Sequence, residues 1–419
     1  MANNYFMGID VGGTHITLDL VDDTTFEMLP ASTIRKDLDT NASPSAVLEV
    51  FESAITECAA VTGEESVRGV GLAIPGPFNY GEGICKITPA QQKYEQMFGV
   101  DFRTTLSSVL TRDKPVIFNN DAACFAMGEY FRGGAKGFDK AIIVTLGTGF
   151  GASFLAKGRP QTSGEGVTDG GELWDVPWKE GIADDYFTTR GVVNEWKART
   201  GEELSGAKEI SDLAKTGNQT AISLFNDFGT DLAEFIAPWL KGFNSEAFVI
   251  GGNIALSWDL FVPALEKGLA ERMAEPVAVK PCILGEQAPI YGAALALTMI
   301  DKADAVPPAL DGNIDTAPIL EAAGKTKALI LDGPAETSWK ALAMTLDTQL
   351  RNKAIKAVWL DVNAAYGTDG SIDSKQLNNL RSDDSAPLSV LYGNGASAAD
   401  WDAALRVEIR EGRSARVRQ

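Results

Sequence analysis

A single histidine, His15, stands in the 419 residues. Ser-His-Asp triads, Cys-His pairs, H-E-x-x-H sites and zinc fingers each need a histidine placed elsewhere, so acid–base chemistry falls to carboxylates. His15 itself follows a glycine turn and Thr14, where a structural or peripheral role suits it better than catalysis. Cysteine is sparse too. Cys58, Cys85, Cys124 and Cys282 are scattered without any C-x-x-C, which argues against a disulfide framework and a thiolate metal site. No apolar run approaches a membrane span, and MANNYFMGID lacks a basic n-region and an apolar h-region. Positive charge is in deficit: 37 Lys and Arg face 57 Asp and Glu, a formal net charge of −20. Nucleic acid is therefore not an expected partner, because binding its backbone needs a basic face, and the charge serves solubility. A P-loop is missing as well. GKT at Gly324 to Thr326 has Ile319 where the first motif glycine should stand, and Gly333 to Lys340 lacks the GK pair. What remains is a cytoplasmic protein of two or three domains, with neither nucleic-acid nor membrane partners.

What is present starts with two glycine turns between β-branched runs, Met7 to Val21 and Ala141 to Leu155. Each reads as strand, tight turn, strand, around Gly12-Gly13 and Gly147 to Gly151. Without a Cβ, Gly12, Gly13, Gly147, Gly149 and Gly151 can take positive φ and bring amides close to an anion, with Thr14 and Thr148 adding hydroxyls. The second turn spells G-x-G-x-G and leads into a strand, unlike a dinucleotide fingerprint. Between the two hairpins, Val116 to Phe131 reads as a strand that ends at Asn119-Asn120-Asp121 and opens a helix. One glycine hairpin carries little information. Two, with an Asp at a strand-to-helix junction between them, predict a duplicated nucleotide clamp with a catalytic acid.

Along the chain, residues 5 to 36 read as strands and Pro44 to Thr62 as a helix through Val47, Val50, Phe51 and Ile55. A strand then ends at the Pro75-Gly76-Pro77 turn. Residues 99 to 112 read as a helix, 115 to 120 as a strand and 121 to 131 as a helix. A loop-rich stretch runs from Gly158 to Arg190, followed by helices to about Leu240, a strand into Gly251-Gly252, and a small-residue helix from Tyr291 to Ile300. Strands alternating with helices predict an α/β fold.

Six pieces fall in order: DVGGTHI at Asp10, AIPGPF at Ala73, NNDAACFAMGEY at Asn119, TLGTGFG at Thr145, VIGGNIA at Val249 and YGAA at Tyr291. With these, residues 5 to 302 resemble the ROK sugar kinases of the actin-like ATPase superfamily. The resemblance implies two RNase H-like domains closing on a cleft for ATP-Mg²⁺ and a hexose. Residues 1–118 would form the first domain, with a helix near 290–302 packing back on it, and 119–289 the larger second. The implied activity is ATP-dependent phosphorylation of a hexose hydroxyl, glucokinase- or fructokinase-like. Asp121 aligns with the catalytic base, and Asn120 and Gly76 with the sugar side. Gly12, Gly13 and Thr14, and Gly147, Thr148 and Gly149, align with the phosphate turns, and Gly251-Gly252 with the turn beside the adenosine. Asp10 is placed to hold Mg²⁺ through water. The charged form of Asp121 is favoured at a helix N-terminus, which makes a weak base. Phosphoryl transfer tolerates this, since its transition state is loose and orientation matters more.

One stretch departs from the family pattern. Members commonly carry E-x-G-H and then a cysteine-rich zinc signature, whereas Gly170 to Gly191 holds no cysteine or histidine. Glu172 matches the sugar-binding glutamate, Asp175 stands where the histidine would be, and Asp184 matches the last glutamate of the signature, with Tyr186 and Arg190 in register. A zinc-free branch with a carboxylate-rich sugar pocket is expected, because ionised carboxylates accept hydrogen bonds from adjacent hydroxyls. A small-molecule sugar is the expected partner and a homodimer a candidate assembly. The alternatives are a sugar-responsive transcriptional regulator of the same family, whose helix-turn-helix would precede the glycine turn where nine residues precede Asp10, or a non-catalytic sugar-binding protein.

The last segment lies outside the resemblance. Residues 303–313 read as a Pro/Gly linker, and 314–419 as a small C-terminal α/β appendage with a sheet of its own. A chain ended near Asp304 is expected to fold and keep its activity. The basic string from Ile409 to Gln419 reads as a frayed or exposed terminus, and its position soon after an apparent strand would suit a piece of a longer polypeptide.

Overall fold

Strands β1 (Tyr5–Val11), β2 (His15–Asp22) and β3 (Ile34–Asp37) form an antiparallel meander, with Ile9 opposite Leu18 and Thr17 opposite Arg35. Met7, Ile9, Ile16 and Leu18 are fully buried, as the alternating pattern requires. The helix Pro44–Ala60 follows. Ser43 caps it by accepting from the Ala46 amide at 3.4 Å, Pro44 sits at its first turn, and Val47, Phe51, Ala54, Ile55 and Cys58 line its buried face. The crossover leads to β4 (Val67–Ile74), parallel to β1 with Asp10 opposite Ala73. After a two-residue ribbon of β5 (Phe78–Asn79) and β6 (Ile84–Cys85), β7 (Val116–Asn120) joins parallel to β4, with Ile74 opposite Asn120. The sheet order is β3-β2-β1-β4-β7.

The same pattern is built again further along. Strands β8 (Lys140–Leu146), β9 (Phe150–Ala156) and β10 (Arg159–Gln161) make a second meander. A small ribbon of β11 (Pro177–Trp178) and β12 (Gly181–Ile182) comes next. Then β13 (Ala247–Gly251) and β14 (Ala278–Pro281) are added in parallel, giving the order β10-β9-β8-β13-β14. Two glycine hairpins therefore mark two copies of one α/β topology, the RNase H-like arrangement. Helices Gln219–Phe243 and Trp258–Arg272 bury Leu224, Phe228, Leu232, Phe261 and Leu265 in the second core. Glu129, fully buried, accepts from the amides of Gly134, Ile283 and Leu284, which ties the helix Asp121–Arg132 to the chain after β14.

The C-terminal part has a different sheet. Strands β15 (Ala328–Asp332), β16 (Ala357–Asp361), β17 (Leu388–Tyr392), β18 (Leu405–Ile409) and β19 (Ala415–Arg418) lie in the order β16-β17-β15-β18-β19, parallel except for β19. Both faces are covered, as parallel strands need. Leu329, Leu331, Trp359 and Val390 pack with Leu342 and Leu346 of the helix Trp339–Arg351. The alternate residues Ile330, Val358, Leu360 and Leu391 enter one core with Val100, Phe102 and Leu106 of the N-terminal half.

This computed structural model describes residues 3–88, 94–110, 114–300, 314–367, 369–409 and 415–418. The linker expected at 303–313 lies outside them. The chain divides into two units, 1–121 with 293–419, and 122–292. Three sequence expectations change. The C-terminal sheet shares its core with residues before 121, which removes the basis for expecting a chain ended near Asp304 to fold. Of the helix expected over 99–112, the described residues are helical over Phe102–Ser107; Val100 is drawn instead into a bridge with Leu360, and 111–112 lie outside the described residues. Residues 415–418 are not a frayed end but pair with Arg406–Ile409. Among the described residues no helix is long and apolar enough to cross a membrane.

Candidate active site

In the first unit the site residues gather at the carboxyl ends of neighbouring parallel strands, where open α/β sheets bind ligands. Asp10 is near the end of β1, Ile74 ends β4 and Asn120 ends β7. Asp121 opens the twelve-residue helix Asp121–Arg132, in the positive field of its N-terminus. The first glycine turn leaves β1 directly beyond Asp10. Its Gly12 amide donates to the His15 carbonyl at 2.9 Å, and the Thr14 carbonyl accepts from Leu38 at 2.8 Å. Thr14 Oγ1 lies 3.1 Å from His15 Nδ1, so His15 braces the turn.

Two tyrosines that no motif pointed to complete this cluster. Tyr94 is 3% exposed and its hydroxyl donates to the Gly12 carbonyl at 2.9 Å. Burial pushes its phenol far up, and the charges of Cys85, Asp10 and Asp121 add to the shift. The Tyr80 hydroxyl accepts from Asn120 Nδ2 and donates to the Ile74 carbonyl, both at 3.3 Å. A side chain on Gly76 would meet that same hydroxyl at 3.1 Å, which puts Gly76 beside Asn120's partner.

In the second unit the glycine turn joins β8 to β9, and the Gly147 amide donates to the Gly149 carbonyl at 3.2 Å. Asp184 holds the turn from one side: its Oδ1 accepts from the Phe150 amide at 2.8 Å, and its Oδ2 pairs with Arg190 at 3.1 Å. Thr189 holds it from the other, donating its amide to the Gly147 carbonyl at 2.8 Å. Gly251 lies opposite Thr145 on β8, so the Gly251-Gly252 turn neighbours the second glycine turn. Only glycine suits position 252. Its φ is +86°, and a Cβ there would meet the Leu146 carbonyl at 2.4 Å.

Glu172 and Asp175 are exposed on the loop before Asp184. Buried Leu173 anchors this loop, and the Asp184 amide donates to the Trp174 carbonyl at 2.9 Å. Glu172 Oε2 accepts from the indole of half-exposed Trp174 at 2.6 Å. Thus Gly147 to Gly149, Asp184 and Gly251-Gly252 are brought together, while Glu172 and Asp175 flank them.

The conformational expectation for the turns needs correcting. None of Gly12, Gly13, Gly147, Gly149 and Gly151 has φ in the left-handed region. Gly12 and Gly147 also spend their amides on closing their own hairpins. At Gly13 and Gly147 the space is open: a Cβ there would meet no atom of the described residues within 4 Å.

A doubled RNase H-like fold, with a glycine turn in each copy, defines the class of proteins with the actin-like ATPase fold. Within it the chain belongs to the ROK family, which matches residues 6–299. It is 26% identical to a glucokinase of Thermotoga maritima over 313 residues, 67% of this chain and 95% of that protein. It is 27% identical to an N-acetyl-D-glucosamine kinase of Haemophilus influenzae over 299 residues, 66% of this chain and 92% of the other. The crystal structure of a ROK hexokinase from Thermus thermophilus superposes with a TM-score of 0.56 at 24% identity, over 70% of this chain and 99% of that one. The C-terminal sheet lies beyond the matched residues.

Proposed function

We propose that the chain transfers the γ-phosphoryl group of ATP to a hydroxyl of a hexose. The observation that carries this reading is the meeting of Asp10, the Gly12 turn, Asn120 and Asp121 at the carboxyl ends of β1, β4 and β7. The named activities of the two kinase relatives support it.

Asp121 accepts the proton of the attacking hydroxyl. In a loose transition state that hydroxyl turns acidic late, so the orientation of Asp121 outweighs its basicity. Asn120, steadied by Tyr80, binds a sugar hydroxyl next to Gly76. Gly13-Thr14 and Thr148-Gly149 contact phosphate through amides and hydroxyls, and Gly251-Gly252 borders the adenosine. Glu172 and Asp175 accept from sugar hydroxyls. Asp184 acts first on the phosphate turn, through the Phe150 amide, while Arg190 pairs with its other oxygen, and its spare lone pairs leave room for a sugar hydroxyl.

Asp10 offers a hard oxygen, and the described residues hold no group of three or more side chains able to bind a metal. That donor set suits Mg²⁺, which keeps most of its waters and takes few protein ligands. Bound there, it would neutralise charge between the β and γ phosphates. ATP as donor places the reaction in the cytoplasm.

The test is Asp121→Asn with a panel of hexoses in an assay coupled to ADP release. Turnover should fall by roughly a hundredfold or more while sugar binding weakens modestly. Asp10→Asn should instead raise the metal requirement. Near-wild-type turnover in Asp121→Asn would refute the mechanism. Sugar binding by the unmodified chain without turnover of any hexose would favour a regulator or a non-catalytic binder.

A further inference from the structure

The C-terminal sheet, foreign to the matched part of the chain, reaches the first glycine turn through one short segment. At the edge strand β16, the Asp361 amide donates to the Gly99 carbonyl at 2.9 Å and the Asp101 amide to the Trp359 carbonyl at 2.8 Å. Val100 and Leu360 are bridged between them, so residues 99–101 extend the sheet. The join is locked by charge. Asp101, 0% exposed, accepts from Lys340 Nζ at 2.8 Å and from the Tyr392 hydroxyl at 2.6 Å, and Asp361 Oδ2 lies 3.0 Å from that hydroxyl. Leu380 packs so closely on Gly99, whose φ is +80°, that a Cβ there would meet its Cδ2 at 2.2 Å.

From this grip the chain runs back in a tight turn to Tyr94. The Val100 amide donates to the Met97 carbonyl at 3.0 Å and the Met97 amide to the Tyr94 carbonyl at 2.9 Å. Tyr94 in turn holds the Gly12 carbonyl. The links are short, and Tyr94, Met97 and Val100 are buried while the last bond, to Gly12, is partly buried, so shifts at β16 are passed on to the glycine turn instead of being absorbed by a loop.

We infer that the C-terminal sheet is a positioning element for the first phosphate turn, acting through Tyr94, and that it sets affinity for the nucleotide's phosphates. The inference rests on the reading of Gly12 to Thr14 as a phosphate turn. A sheet that merely stabilised the fold would change the amount of folded protein and leave nucleotide affinity per folded molecule alone.

The experiment uses the full chain and calorimetric titration with ATP and Mg²⁺, alongside steady-state kinetics. Tyr94→Phe removes one neutral hydrogen bond on the turn. It should raise the ATP dissociation constant and the KM for ATP by about three- to tenfold, with kcat and the sugar KM within about twofold. Lys340→Met should weaken ATP in the same way, and should add nothing in the Tyr94→Phe background, because both act through one link. Should Lys340→Met not fold, Tyr392→Phe is the milder substitute. An ATP dissociation constant unchanged in Tyr94→Phe, or effects that multiply in the double variant, would overturn the inference. If the unmodified chain binds no ATP at all, the kinase reading falls first and this inference with it.

Discussion

Replacing Asp101 by alanine should open the seam between the N-terminal half of the first unit and its C-terminal sheet. Asp101 does two jobs. It caps the helix Phe102–Ser107, accepting from the Thr104 amide at 3.0 Å, and it is the nearest counter-charge to Lys340. A lost cap costs about 1 kcal/mol. Breaking a buried ion pair from one side costs about 3–5 kcal/mol, since the remaining charge is stranded. Lys340 would keep the neutral Tyr392 hydroxyl at 3.0 Å and, as counter-charge, Asp361 at 3.8 Å, which is a poor substitute. Burial pushes its carboxyl up, Lys340 only partly offsetting this. The two losses overlap, so the expected total is about 3–5 kcal/mol. Amide hydrogen exchange reads this locally. Protection at Asp101, Asp361 and their neighbours should drop by roughly a hundredfold or more, while peptides from residues 122–292 stay unchanged. A drop of less than about tenfold at 357–361 would show that Lys340 and Asp101 do not hold the seam, and the reasoning would be wrong.

Three further outcomes are expected. A chain ended at Ile300 should be insoluble or lack an intact first unit, because Val100, Phe102 and Leu106 lose the apolar face that covers them; soluble, active protein from that truncation would contradict the shared core. Burial would raise Glu52, but Arg351 at 2.6 Å and Lys356 at 2.8 Å outweigh it and hold its carboxyl below the ordinary value. Its stabilising contribution is therefore full above the ordinary carboxyl range and lost as pH falls through the lowered folded value, so Glu52→Gln should flatten the acid limb of the stability–pH curve, measured by urea unfolding. Purified protein should carry no stoichiometric zinc, and elemental analysis finding about one zinc per chain through chelator treatment would refute the reading of the Gly170–Gly191 stretch.

How legible all this was depends on the range of the forces involved. The meanders β1–β2 and β8–β9 could be read because alternation and a glycine turn are local signals, and Asp121 because a strand end and a helix start coincide there. Residues 99–101 could not. Their helical pattern is overridden by pairing with β16, some 260 positions away in sequence, which no periodicity reports. Lys340 falls in a segment that fails as a P-loop and reads as helical up to Leu350, and its role comes from Asp101, which is remote in the chain. Tyr80 and Tyr94 act through single hydroxyls on backbone or amide partners, a use that leaves no spacing behind. Register alone aligns Asp184 with a family glutamate; that it accepts from the Phe150 amide follows from the loop's path. The basic tail could not be read as β19 because its pairing depends on an edge of β18 that composition does not reveal.

The division of the chain into one continuous and one split unit has a consequence for synthesis. Residues 122–292 emerge together and can fold as soon as they leave the ribosome. The first 121 residues cannot complete their core until the strands of the C-terminal sheet arrive, since partners such as Ser45 and Asp383 lie 338 positions apart in the chain. Joining such distant segments is entropically slow. The early-folding unit shortens the search, because its own ends meet: a side chain at Gly292 would strike the Cys124 carbonyl at 1.8 Å. Until then the nascent N-terminal half presents uncovered apolar surface, the kind of intermediate that chaperones bind.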